Sequence, residues 1–402
     1  MIILAIETSC DDTALALLET RGSGTDFEYR IIASLVHSQA ALHSPYGGVF
    51  PALAKREHSK NLPLLLPEVL TQLEVEKSVT IPIETISACI KKYAEQNKDL
   101  VEAMTSKEFQ SAISLRPPID LIAVTQGPGL EPALWTGISF ATILGQIWNI
   151  PLHPINHMEG HIVGSLLHID QSVKQWQRLQ SLPLPALALL ISGGHTDLVQ
   201  VQNGTDGAFL SYEIIGRTVD DAVGEAFDKA ARLLGLPYPG GPHISRLADE
   251  ARRAGIVSEI KLPRPMIHSK DFNFSFSGLK TAVLYAVKDA EKKGTFTEDF
   301  KKGLAREFED AVKETLDRKL RSALEYTDAQ SIIIGGGVSA NKTLRIQFET
   351  IAHEYGIPLF LPSQHISGDN ALMIALAGAL TSHDHHPSTP IQAQGTKKLG
   401  NI

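Results

Sequence analysis

The sequence predicts a duplicated α/β protein in which two domains of one topology face each other across a ligand cleft. Three observations carry that expectation. A strand–turn–strand unit occurs at the start of the chain and again near residue 190. A buried strand ending in a glycine-rich turn occurs near residue 125 and again near 335. Both halves keep the same distance from that turn to a later helix start.

In chain order, Ile2 to Ile6 is an apolar strand, Ser9 to Asp12 supplies turn formers, and Ala14 to Leu18 is a second strand. The second unit repeats this, with an apolar strand from Ala186, a Ser192-Gly193-Gly194 turn, and a strand from Thr196 to Val201. Leu121 to Val124 and Ile332 to Ile334 are buried-type strands that run into Gly127-Pro128-Gly129 and Gly335-Gly336-Gly337, each followed by a helix-like segment. Short strands follow at Ile150 to Ile155 and Ile357 to Leu361, then helices opening at Asn156-His157 and at Ser367-Gly368-Asp369. Gly127 and His161 lie 34 residues apart, as do Gly335 and Asp369. Glycine turns at strand ends leave N–H groups free for phosphate oxygens, and helices starting there add a favourable dipole, so the cleft is expected to take a nucleotide.

The expected boundaries are 1–180 for the first domain and 181–382 for the second, whose last helix, about 368–382, is able to pack on the first. Residues of about 72–115 carry amphipathic stretches such as Ile83 to Tyr93 and are expected as an inserted helical excursion outside the core. Residues 383–402, rich in His, Pro, Gln and Gly, are expected as a flexible tail, with His383, His385 and His386 in solvent.

With 402 residues and 43% apolar side chains, the chain can build two ordinary cores. A net charge of −8 excludes a globally basic nucleic-acid binder, so any RNA contact must be local. Cys10 and Cys89 are far apart and outside any CxxC pattern, which excludes a disulfide framework and a thiolate zinc site. The apolar start runs straight into Glu7, Asp11 and Asp12, unlike a signal peptide, and no apolar run reaches membrane-spanning length. A cytoplasmic protein without membrane contact is the expectation.

Asn156-His157-Met158-Glu159-Gly160-His161 sets two imidazoles four residues apart, on one face of a helix. The duplication places Asp369 at the start of the equivalent helix of the second domain, so symmetry would bring all three to the cleft. Two histidines and a carboxylate with open positions suit Fe(II), Zn(II) or Mn(II). A zinc protease would need Glu directly after the first histidine, where this chain has Met158; Glu159 lies roughly opposite the histidine face.

These residues resemble the tRNA threonylcarbamoyl transferases, the TsaD family, formerly called O-sialoglycoprotein endopeptidases. The shared motifs are Glu7 to Thr13, Gly127 to Leu130, Asn156 to His161, Leu190 to Thr196, Asp220 to Asp228, Phe274 to Lys280, Gly335 to Asn341 and Ser367 to Asn370, over residues 1 to about 70 and 118 to about 382. The resemblance implies the actin-like ATPase fold (ASKHA, RNase H-like) and transfer of threonylcarbamoyl from threonylcarbamoyl-adenylate to N6 of the tRNA adenosine at position 37, 3′ of the anticodon, with AMP leaving. It implies one divalent metal per subunit, Fe(2+) first and Zn(2+) second, on His157, His161 and Asp369. Its nucleotide contacts carry over to Leu190, Ile191, Ser192, Gly193, Gly194, Asp228, Gly241 and Asn341, with Asp228 suited to ribose hydroxyls. In a bacterium it implies a paralogous TsaB-like subunit and a small TsaE-like ATPase.

The chain has Asp12 where the family has Glu, and residues 72–115 exceed the family's usual connection. Asp11 and Asp12 are the candidates by position for taking the proton from the attacking amine, against the reading that they only shape the turn. His195 is either a packed histidine or a phosphate ligand. Lys229 to Lys280 holds nine Lys or Arg against four acidic residues, and Arg252, Arg253, Lys261, Arg264 and Lys270 are assigned to tRNA phosphates; the neighbouring Phe272, Phe274 and Phe276 fit a half-buried strand. The rival readings are a small-molecule kinase of the same fold and a non-catalytic scaffold subunit.

Overall fold

A computed structural model describes residues 1–74, 79–167, 175–205, 209–381 and 390–400. The first half contains β1 (Ile2–Glu7), β2 (Asp12–Arg21), β3 (Glu28–Ser38), α1 (Ala40–His43) and α2 (Pro51–Leu70). Next come α3 (Ile83–Lys91), α4 (Lys98–Met104), α5 (Lys107–Ala112), β4 (Leu121–Gly127), α6 (Glu131–Trp148), β5 (Leu152–Asn156), α7 (His157–Gly164) and β6 (Gln177–Arg178). The second half runs β7 (Ala186–Ile191), β8 (Thr196–Asn203), β9 (Leu210–Arg217), α8 (Val223–Leu233), α9 (Gly240–Ala254), α10 (Ser277–Lys293) and α11 (Glu298–Thr327). It closes with β10 (Ser331–Gly335), α12 (Lys342–Tyr355), β11 (Leu359–Phe360) and α13 (Ala371–Thr381).

The sheets run β5-β4-β1-β2-β3-β6 and β11-β10-β7-β8-β9, the second repeating the order of the first five strands of the first. In each, an antiparallel hairpin (β1–β2, β7–β8) has a parallel strand added beside its first member (β4, β10) and another beyond that (β5, β11).

Strand periodicity explains how the sheets share a core. In β1, Ile3 and Ala5 face one side while Leu4 and Ile6 face the other; in β7, Ala186, Ala188 and Leu190 alternate with Leu187, Leu189 and Ile191. The alanine-rich sides of both sheets belong to one central cluster, with α7 and α13 between them. Residues 371–379 of α13 are buried all round, as an entirely apolar helix must be. Small residues permit the close fit: a Cβ on Gly378 would lie 2.9 Å from that of Ala123. The last helix thus covers the first domain's β1 and β2.

The outer face of the first sheet carries α2 and α6. Within residues 79–115 the chain forms the helices α3 to α5. They are not outside the core, however: Ile86, Ile90, Leu100, Met104, Phe109 and Ile113 join the cluster beneath α2 and α6. Their apolar faces have no other place to be buried.

Residues 390–400 correct the expectation of a flexible tail. Gln394 N–H donates to Gln126 O (2.9 Å), Gly129 N–H to Gly395 O (3.1 Å) and Asn156 Nδ2 to Lys398 O (3.1 Å). Low periodicity concealed a strap that bonds to the ends of β4 and β5 and to the loop after β4 without forming a strand. Gly127 admits it, since a Cβ there would meet Gln394 O at 1.9 Å. The histidines at 383, 385 and 386 lie outside the described residues.

Candidate metal centre and nucleotide cleft

Asn156 caps α7, its Oδ1 accepting the N–H groups of Met158 (2.9 Å) and Glu159 (3.4 Å). The helix therefore starts at His157, and His161 follows one turn later on the same face. Gly160 and Gly164 face α13, where a Cβ on Gly164 would lie 2.7 Å from Met373 Cβ. Asn370 does the matching work in the repeat: Oδ1 accepts Met373 N–H (3.1 Å), while Nδ2 donates to Ile366 O and Gly368 O (3.0 Å each), shaping the loop that carries Asp369.

The two helix starts converge. Asp369 Oδ1 lies 3.4 Å from His157 Nε2 and 3.3 Å from His161 Nε2, and the three donor atoms are within 4.8 Å of one another. Donors about 2.1 Å from one ion at near-tetrahedral angles are roughly 3.4 Å apart, so the spacing fits a shared metal. Among the described residues His161 Nε2 has no hydrogen-bond partner and is buried, a costly state for a nitrogen lone pair unless something is coordinated there. The donor set fits a divalent ion with open positions.

Glu7, at the end of β1, is a residue that sequence reasoning did not assign. It is fully buried and accepts Ser9 N–H, Thr125 Oγ1–H and, at 3.0 Å, the Nδ1–H of His157. A carboxylate at Nδ1 fixes the tautomer and leaves Nε2 as the ligand atom. Burial raises the Glu7 carboxyl, but the His157 ring outweighs it and holds it low. Burial likewise opposes the charged form of Asp369, and the two imidazoles hold that carboxyl well below the usual range.

Asp11 and Asp12 lie on the turn after Glu7. Burial raises both; Asp12, also facing Asp369, is pushed up to about 7, and its Oδ1 is buried without a hydrogen-bond partner. Asp11 accepts a 3.4 Å hydrogen bond from Tyr238 of the second domain. His58 on α2 anchors the turn through Cys10 O (3.0 Å) and Thr13 (2.8 Å), and burial depresses it to about 4, so it is neutral. Burial also takes His195 down to about 4.

Across the cleft, Leu190 and Ile191 end β7, and Ser192 organises the glycine turn: its Oγ accepts the N–H groups of Gly194 (3.3 Å) and His195 (3.1 Å). Gly224, at the start of α8, approaches this turn so closely that a Cβ would sit 2.7 Å from Ser192 O. Gly335 meets His161, where a Cβ would lie 3.1 Å from its carbonyl, so the second glycine turn abuts the histidine helix. Asp228 accepts Gly240 N–H (2.6 Å) beside Gly241, and burial pushes it up to about 6. Asn341 spends its side chain internally: Oδ1 caps α12 at Leu344 N–H (3.0 Å), and Nδ2 donates to Ser245 (2.8 Å) and Glu309 (2.7 Å).

The basic cluster is also occupied internally. Arg252 pairs with Glu309 and Asp310, Arg253 with Asp249, Lys261 with Glu307, and Arg264 with Glu307 and Glu314. Their partners lie mainly on α11, outside the window whose charges suggested an RNA surface; Lys270 is exposed. Phe274 and Phe276 are buried in the second domain's core.

Two sheets of one topology, glycine turns at their inner strand ends and a His–His–Asp cluster where the two last helices meet define an actin-like two-domain cleft protein. The description "TsaD: tRNA N6-adenosine threonylcarbamoyltransferase" matches residues 30–83 and 91–376, and the chain belongs to that family. It is 41% identical over 383 residues to the tRNA N6-adenosine threonylcarbamoyltransferase of Burkholderia lata, and 41% identical over 384 to that of Burkholderia pseudomallei. Each comparison covers 94% of this chain and 92% of the relative. Among solved structures, the (R)-2-hydroxyglutaryl-CoA dehydratase component A of Acidaminococcus fermentans is similar at 14% identity and a TM-score of 0.42, covering 94% of this chain and 96% of that one. Among the described residues no helix is long and apolar enough to cross a membrane.

Proposed function

We propose that the chain transfers the threonylcarbamoyl group from threonylcarbamoyl-adenylate to N6 of the tRNA adenosine 3′ of the anticodon, position 37, in a metal-dependent reaction. The observation that carries this is the His157–His161–Asp369 cluster, its histidines buried, beside the glycine turns, in a chain 41% identical to named transferases over 94% of its length. The N6–carbonyl bond forms, the carbonyl–phosphate oxygen bond breaks, AMP leaves, and the amine gives up a proton.

His157, His161 and Asp369 hold a divalent ion, Fe(2+) in first place and Zn(2+) in second. Such an ion supplies Lewis-acid polarisation of an acyl or phosphoryl oxygen. The N–H groups of the Ser192–Gly194 turn bind the phosphate, and Asp228 binds ribose hydroxyls. Asp12 takes the proton: its buried oxygen without a hydrogen-bond partner among the described residues is free to accept one, whereas Asp11 is tied to Tyr238. The tRNA substrate calls for a cytoplasmic location, and a paralogous subunit and a small ATPase complete the assembly in a bacterium.

The test supplies threonylcarbamoyl-adenylate labelled in its threonine to unmodified tRNA and metal-replete protein, with the two partners and without them. Label on tRNA is expected, and none in either condition would refute the reading. His161→Ala removes a nitrogen that has no hydrogen-bond partner, so the fold should persist while bound metal and transfer are lost. Unchanged transfer by that variant would remove the metal from the reaction.

A further inference from the structure

The loop joining α1 to α2 carries Tyr46, 63% exposed, and Phe50, 50% exposed, their rings stacked 5.6 Å apart at 19°. Rings of this size usually find a buried place, and here each covers only one face of the other. The loop is built in rather than loose. Buried His43 accepts Phe50 N–H at its Nδ1 (3.2 Å) and bonds Gln39 (3.2 Å), whose own N–H donates to Asp11 O (3.0 Å). The ring pair is thereby referenced to the turn that bears Asp11 and Asp12.

Tyr46 and Gly47 form one wall of a cavity of about 270 Å³, with Asp228, Arg232 and Tyr238 of the second domain opposite. That is just under the roughly 300 Å³ at which small-ligand clefts begin, nearer a nucleoside than a peptide. Tyr238 connects this cavity to Asp11. Gly47, in the left-handed region at φ 66°, turns the loop so that its backbone lies against the Arg232 side chain. Arg232 is exposed and, among the described residues, makes no ion pair, unlike Arg252, Arg253 and Arg264.

An open ring face beside an unpaired guanidinium, next to a nucleotide cleft, is the combination that holds an unstacked nucleotide: the ring takes the base and the cation takes the phosphate. We propose that the Tyr46–Phe50 pair is the stacking platform for a base of the RNA substrate at the mouth of the cleft, with Arg232 on its backbone. The proposal rests on the tRNA-transferase reading; the cavity shares its Asp228 wall with the adenylate's ribose, and the ring pair and Arg232 are the groups to which that reading gives no role.

The experiment measures binding of unmodified tRNA to the metal-loaded assembly, and KM for tRNA and for threonylcarbamoyl-adenylate separately. The proteins are wild type, Tyr46→Ala/Phe50→Ala, Tyr46→Phe and Arg232→Ala. Losing the ring pair should weaken tRNA binding at least fivefold and raise KM for tRNA with the adenylate KM unchanged. Tyr46→Phe should restore both. Arg232→Ala should weaken tRNA binding and lower its salt dependence by about one ion. Unchanged tRNA affinity without the rings overturns the proposal, as does a rise in adenylate KM alone, or loss of a partner subunit with tRNA affinity intact. If wild-type protein transfers nothing to tRNA, the functional reading itself fails; normal wild-type transfer with indifferent ring variants refutes only the platform.

Discussion

Glu7 touches no solvent and spends both oxygens on partners from three parts of the chain. Glu7→Gln should weaken metal affinity 10- to 100-fold, as loss of a carboxylate behind a ligating histidine does, and a chelator-competition titration reads this independently of turnover. Equal affinity would mean that Glu7 only fills space. Asp12 makes a second case. Its folded value of about 7 exceeds its ordinary 3.8, so the folded chain holds the proton more tightly than the unfolded one. Its contribution is favourable at low pH and is lost as pH rises from about 4 to 7. Asp12→Asn should therefore be relatively more stable than wild type at pH 7.5 than at pH 4.5. Parallel melting temperatures across that range would refute the burial argument. His157, His161 and Asp369 were legible in the sequence because helical spacing and a counted repeat are local facts. Glu7 was not, since its meaning depends on a ring 150 residues away. The basic cluster carries partners that the local sequence does not show: Glu307, Glu309, Asp310 and Glu314 on α11 pair with Arg252, Lys261 and Arg264, while Arg253 pairs with Asp249 within α9.

Among elements, the strap at 390–400 has the clearest consequence. Ending the chain at residue 389 removes the bonds at Gln126, Gly129 and Asn156 together with the buried Ala393 and Leu399. Gln126 also donates its Nε2 to Gln392 O (3.0 Å) and accepts Lys397 Nζ at its Oε1 (2.7 Å), so with about 1 kcal/mol net per hydrogen bond the loss is on the order of 5 kcal/mol and the fall in Tm about 6 °C. Amide exchange should quicken around 126–129 and 156–158 before it does in β7–β8, and uniform exchange would show that the strap is passive. Strands and helices could be read because periodicity marks burial of a face. The strap has no period, and only its partners give it a fixed path.

At the scale of the whole molecule, the central cluster takes side chains from both sheets and from the two helices between them. Neither half owns its inner core. Trp135, Trp148 and Trp176 all lie in the first half, so tryptophan fluorescence follows that half while far-UV circular dichroism follows both. Urea unfolding should give coincident midpoints by the two probes. Two separated transitions would mean that the halves are independent. The duplicated topology was readable because each repeat carries its own strand and glycine signals. The shared core followed only when α13 was seen lying on the first sheet.

That placement of α13 also governs how the protein must be made. A ribosome releases Ile3, Ala5, Ala14 and Ala16 long before it reaches Ala371–Thr381, the segment that covers them. The first half therefore cannot mature as a unit while the second is being translated. A chain stopped between residue 361 and residue 371 has both sheets but leaves their inner faces without the helix that covers them.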